Sequence, residues 1–213
     1  MRAIATKYRS FVAEAEKNWN VLDRTLYALC DENPGHSDGA VARAKLWLIG
    51  RTFTTGIERK IRSGGSMGSS LTTLAELLVA RASDVDSCFT ALRKIREPLD
   101  AAKCKSIVSI HGQMLRLLRP VILRKQSPRS FVSKYMHFHN PVVPIFDSVA
   151  VTSLGKLLRW DDAMQVFEIA KGEDKIYGWY VMRFFRLYKQ LGALGVRPTA
   201  RRIDYYLSSS ADT

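Results

Sequence analysis

Along most of the chain, apolar positions recur every three to four residues, the spacing of helices that turn one face to a core. Tyr8, Phe11, Val12, Trp19, Leu22, Leu26 and Leu29 mark a first helix over about residues 4–29. A loop rich in Pro, Gly and Asx residues follows at 31–39. Ser37 or Asp38 caps a second helix over 39–62, with Ala42, Leu46, Ile49, Phe53, Ile57 and Ile61 inside. The stretch 63–70 is rich in Gly and Ser and reads as a hinge or a loop that stays mobile until ligand binds. It is not a phosphate-binding loop, since no GKS or GKT follows. Three more helices are predicted over 72–82, 84–95 and 101–118, carrying Leu74 and Leu78, Val85 and Phe89, and Ile107, Ile110 and Met114.

The next stretch, SPRSFVSKYMHFHNPVVPIFDSVAVTSLGKLL, organises the rest. Ser127-Pro128 or Ser130 starts a helix whose Phe131, Tyr135 and Phe138 face a core. Asn140-Pro141 ends it, because Pro lacks a backbone N–H and restricts the residue before it. Pro141 and Pro144 pin an extended crossing. Asp147 then opens another helix, with Val149, Val151, Leu154, Leu157 and Leu158 on its apolar side. Beyond it, Asp161 or Asp162 caps a short helix to about residue 170, and 171–174 is a turn. An aromatic-rich helix covers 175–194, in which Tyr177 and Trp179 lie near the exposed start. Gly195 stops it, Thr199 caps a last helix over 200–207, and 208–213 is a disordered tail. No convincing strand is found. The fold class is all-α: one helical domain over 1–207, with a possible N-terminal lobe (1–62) and C-terminal lobe (100–207) joined through 63–70.

Charge changes the picture. Thirty-three Lys and Arg residues against 20 Asp and Glu give +13, which points to a polyanionic partner, nucleic acid first. No apolar run or basic amphipathic tail suits a membrane, and the N-terminal stretch has no apolar core for a signal peptide. Cys30, Cys88 and Cys104 form no CxxC pair, and the four His show no HExxH, so neither metal nor cofactor is expected. A cytoplasmic monomer is the natural reading.

Three features carry candidate chemistry. Asp147 is a carboxylate at a helix N-terminus; an N-cap worth roughly 0.5–2 kcal/mol is reason enough for it, but Arg129, Lys134, His137 and His139 crowd the preceding helix. Trp47, Arg51 and Glu58 share a flank with Arg43, either as the wall of a base pocket or as a solvent face with a weak ion pair. Gly50 and Gly56 favour the pocket, since glycine within a helix marks close approach of a backbone or ligand. Arg116, Arg119, Arg124, Lys125 and Arg129 crowd the approach to residue 130, either to grip phosphates or as a solvated charge run.

The organising stretch resembles the core of the helix-hairpin-helix superfamily of DNA glycosylases, over about 35 of 213 residues. Val143-Pro144-Ile145-Phe146-Asp147 is similar to that family's "(V/F)P(V/I)D" crossing with one residue inserted. Ser133-Lys134-Tyr135-Met136 falls where the family carries its "TA" helix start. The family's "LPGVG" hairpin falls near 125–130, which has no glycine. The resemblance implies a compact two-lobed helical fold, Asp147 as the catalytic aspartate, and a flipped base beside it. Trp47, Arg51, Glu58, Tyr135 and His139 are then expected to line the base pocket. Arg124, Lys125, Arg129, Ser130, Ser133, Lys134 and His137 are expected to hold double-stranded DNA. No lysine matches the family's nucleophile position, so the expected activity is a monofunctional glycosylase that excises a damaged or modified base, in repair or in defence against foreign DNA. The alternative is a non-catalytic nucleic-acid-binding protein in which Asp147 is only a cap.

Overall fold

The computed structural model describes residues 2–62, 67–161 and 164–209. Among them are nine α-helices and no strand. The first, α1 (Arg2–Glu32), is amphipathic, and Tyr8, Val12, Leu26 and Cys30 are buried along it. Asp38 caps α2 (Gly39–Thr52) by accepting from the backbone N–H groups of Ala40 and Val41 at 2.8 and 3.2 Å.

Instead of running to residue 62, α2 ends at Thr52. Thr54 and Gly56 take left-handed φ values of 45° and 62°, and Thr55 ties the turn shut with Oγ1 and N–H bonds to the Gly50 carbonyl. The chain then doubles back as a short 3-10 turn (Ile57–Lys60). Gly50 is what admits it, because a Cβ there would lie 3.2 Å from Ile57 Cγ2. The close approach inferred for Gly50 is therefore made by the chain itself.

Arg62 N–H and Leu123 N–H bond across to Val121 and Lys60 carbonyls at 2.8 Å each. Residues 63–66 lie outside the described set, and with them most of the expected hinge. Helix α3 (Met67–Ala80) starts earlier than residue 72, and α4 (Ala82–Arg93) follows after one residue. Helix α5 (Ala101–Leu118) has the predicted bounds, capped by Asp100.

The central helix is α6 (Arg129–His139), and every residue from 131 to 140 is buried. It packs on α1, α2, α4 and α5. A helix surrounded on all sides must satisfy its polar side chains inside the protein. Ser133, Lys134, His137 and His139, expected to meet DNA or a base, are therefore buried, and of the four only Lys134 reaches the wall of a cleft. Helices α7 (Ser148–Leu157), α8 (Lys175–Ala193) and α9 (Ala200–Ser209) complete the fold.

The helix expected up to residue 170 is absent among the described residues; Asp162 and Ala163 lie outside them. The segment runs instead as an irregular strap, and Ile169 lies in a slot on α8 that exists because residue 178 is glycine. Tyr177 is fully buried, against expectation, stacked on His111 at 3.8 Å. Among the described residues one apolar cluster holds side chains from Tyr8 through Leu207, and α1 packs along α9. Of the expected tail, Ser208 and Ser209 belong to α9, and 210–213 lie outside the described residues.

Candidate active site

Asp147 is fixed by the crossing before it, in which nearly every polar group is bonded. Asn140 accepts from Val142 N–H at 3.2 Å and donates to the Leu92 and Ile95 carbonyls at 2.7 and 3.0 Å. His137 donates Nδ1–H to the Val143 carbonyl at 2.7 Å, which leaves Nε2 to accept from the Tyr27 hydroxyl at 2.6 Å. The hydroxyls of Tyr177 and Tyr180 donate to the Pro144 and Ile145 carbonyls at 2.9 and 2.5 Å. Ser133 Oγ accepts from Phe146 N–H and donates to the Ser130 carbonyl, both at 3.0 Å. A crossing held at this many points leaves Asp147 one backbone position.

Asp147 Oδ1 accepts from Ala150 N–H at 2.8 Å, as an N-cap does. Oδ2 lies 3.5 Å from Lys134 Nζ. Lys134 is itself buried, donating to the Phe53 carbonyl at 3.2 Å. The cap thus uses one oxygen, and the other holds an ammonium at the wall of a cleft of about 680 Å³.

The rest of the lining comes from Phe53 and from the far ends of the chain. Trp19, Phe53, Arg201, Asp204 and Tyr205 line the cleft with Lys134, Phe146 and Asp147. Arg201 forks onto both oxygens of Asp23 at 2.6 and 2.7 Å and reaches Asp204 Oδ2 at 2.6 Å. Tyr205 also donates its hydroxyl to Asp23. One guanidinium therefore serves two buried carboxylates, and Asp204 Oδ1 has no partner. Burial, with repulsion from Asp147 and Asp23, pushes the Asp204 carboxyl up to about 6 against the pull of Arg201 and Lys134. A second hollow of about 670 Å³ shares Arg201 and Tyr205 but lies across them, among Glu16, Asp23 and Arg96, and contains no Asp147.

Several predicted site residues are placed elsewhere. Trp47, Arg51 and Glu58 do not line the cleft: Arg51 stacks on Trp47 at 3.9 Å and bonds Glu58 at 2.9 Å, an outer-surface cluster closed by the turn at Thr54–Gly56. Tyr135 and His139 are core residues, not pocket walls. The Tyr135 hydroxyl meets His36 Nε2 at 2.9 Å, and His139 lies 4.2 Å from the Phe89 ring. Among the expected DNA contacts, Ser133 and His137 are fully buried and bonded within the crossing, so neither reaches a phosphate. Arg129 is paired with Asp174 at 2.5 Å. Lys134 belongs to the cleft, and Ser130 lines it. Arg124 and Lys125 are exposed, as a phosphate contact requires. Lys125 takes a left-handed φ of 67° in the segment where the hairpin glycines are missing.

Trp19, Phe53, Arg201, Asp204 and Tyr205 were not indicated by the sequence. The one available signal was in α9, where Arg201 and Asp204 are spaced i, i+3 on a helix otherwise read only for its apolar docking face. No protein-family model, curated protein or solved structure matches this chain.

Proposed function

We propose that the protein is a monofunctional DNA glycosylase and that the cleft beside Asp147 is where it excises a damaged or modified base. The observation that carries this reading is the Asp147–Lys134 pair: a carboxylate held by its own helix on the wall of an open, aromatic-lined cleft, in a protein of net charge +13. Excision needs a nucleotide turned out of the stack and a fixed negative group beside the sugar. As the N-glycosidic bond breaks, the base leaves with the bonding electron pair and C1′ becomes positive. The Asp147 carboxylate stabilises that cation, and water adds at C1′ from the opposite face and gives up a proton, leaving an abasic site. Phe53, Tyr205 and Trp19 supply apolar faces for the extruded base. The exposed Arg124 and Lys125 serve the phosphates, and Arg129, spent on Asp174, does not.

The test is release of free base from a panel of damaged and modified duplexes. Asp147→Asn keeps an N-cap, so the fold and DNA affinity are retained while base release falls by about 10²–10³. Equal release by variant and wild type refutes the assignment. No release from any duplex, with salt-sensitive DNA binding intact, favours the non-catalytic binder.

One observation favours a second reading. Lys134 puts a primary amine next to Asp147, and an amine that attacks C1′ expels the base through an imine and leads to strand cleavage. Borohydride trapping of a covalent protein–DNA adduct, lost in Lys134→Gln, distinguishes it from the monofunctional reading.

A further inference from the structure

Beside the cleft lies a third depression, of about 530 Å³, and Phe146 and Val151 line both. Its other walls include Trp160, Gln165, Trp179 and Arg183. Trp160 and Trp179 remain 37% and 51% exposed, large apolar faces that the fold leaves uncovered. The Arg183 guanidinium lies 6.0 Å from the Trp160 ring centroid, and its Nε is buried without a hydrogen-bond partner. Among the described residues no carboxylate pairs with it. A buried N–H donor without an acceptor costs stability in the free protein.

We propose that this groove binds an unpaired nucleotide of a DNA strand whose neighbour occupies the cleft, with the base stacked on Trp160 and Trp179 and its phosphate held by the Arg183 guanidinium. This rests on the reading that the cleft takes DNA. Three features select a nucleotide over an apolar peptide: a guanidinium on the groove wall that no carboxylate among the described residues pairs, a strongly positive protein, and continuity with the cleft through Phe146 and Val151. Aromatic platforms beside a cation are the usual means of holding single-stranded nucleic acid, since every base has a π-face.

The experiment compares a dT oligomer with an abasic oligomer of the same length, which carries the same phosphates and no bases. Wild-type protein binds the dT oligomer more tightly. Trp179→Ala and Trp160→Ala each weaken dT binding by about 5- to 100-fold. They leave abasic binding unchanged, while Arg183→Gln weakens both. Equal affinity of wild type for the two oligomers overturns the proposal, as do Trp variants with unaltered preference. Should a variant fail to fold, acrylamide quenching of tryptophan fluorescence in a Trp19→Phe background, which silences the cleft's own tryptophan, decides: protection by dT but not by the abasic oligomer supports the site, and equal protection overturns it. Loss of the preference with base release intact refutes this groove alone. A retained preference without base release refutes the glycosylase reading alone.

Discussion

Replacing His139 with Phe tests the buried polar interior of α6 through its linkage to pH. All four histidines of the sequence are buried. Burial lowers His111 to about 4 and His137 to about 3, and holds His139 well below the usual range with help from the Lys45 and Arg93 cations. In the unfolded chain each titrates near 6.5. Below that pH the unfolded state therefore carries protons that the native state excludes. Their contribution to stability is complete above about pH 6.5 and is lost as pH falls toward 4. Three such groups give a limiting slope of about 4 kcal/mol per pH unit and, each being half protonated in the unfolded chain at about pH 6.5, about 5 kcal/mol between pH 6.5 and 5. Asp204 works in the opposite direction. With its folded pKa raised to about 6, the native state holds a proton there that the unfolded chain has released, which returns about 1 kcal/mol by pH 5. The net loss, about 4 kcal/mol, approaches the whole stability of a marginal domain. His36 adds to the loss in the same direction, since burial lowers it to about 4 even against Asp86, 2.6 Å from its Nδ1.

His139 is the cleanest of the group, since neither ring nitrogen has a partner and its neighbours are the rings of Phe89, Tyr135 and His36. Phe offers a flat ring with no nitrogen to protonate. Urea denaturation followed by circular dichroism from pH 7.5 to 5 gives the slope. His139→Phe lowers it by about 1.4 kcal/mol per pH unit, the share of one proton. An unchanged slope would show that His139 is not held neutral in the native protein and would refute the reasoning.

Two further substitutions probe the site's supports. Arg201→Ala leaves Asp23 and Asp204 as buried carboxylates without their cation and costs about 3–5 kcal/mol in chemical denaturation. Arg201→Lys recovers only part of this because it lacks the fork, and a loss under about 1 kcal/mol for the alanine variant would contradict the ion-pair geometry. Ser133→Ala removes the acceptor of Phe146 N–H and costs about 1–3 kcal/mol, with Ser133→Thr as the check that the hydroxyl is responsible.

What could be read from the sequence was what short-range rules decide. Helix α5 has its predicted bounds and Asp147 caps α7, because capping and periodicity act within a few residues. The break in α2 depends on a packing fit between Gly50 and Ile57, which periodicity does not register. It also explains the displaced pocket: the Trp47–Arg51 spacing is helical, but Glu58 joins them by a turn. Helix α6 has an amphipathic pattern and is nonetheless enclosed, since its polar positions find partners as distant as Tyr27 and Phe53. Of the cleft, Asp147 was legible, and Asp204, Arg201 and Tyr205 were not, because their relation to it exists only in three dimensions.

The bond between Arg201 and Asp23 spans 178 positions of sequence, and it sets when the cleft can come into being during synthesis. A chain made only as far as residue 199 already contains Asp147, Lys134 and Phe53, but it lacks the wall that Arg201, Asp204 and Tyr205 provide. Asp23 then waits without its cation until α9 arrives. An unfinished chain therefore carries Asp147 without a complete cleft, and the cleft is assembled only once α9 has been made.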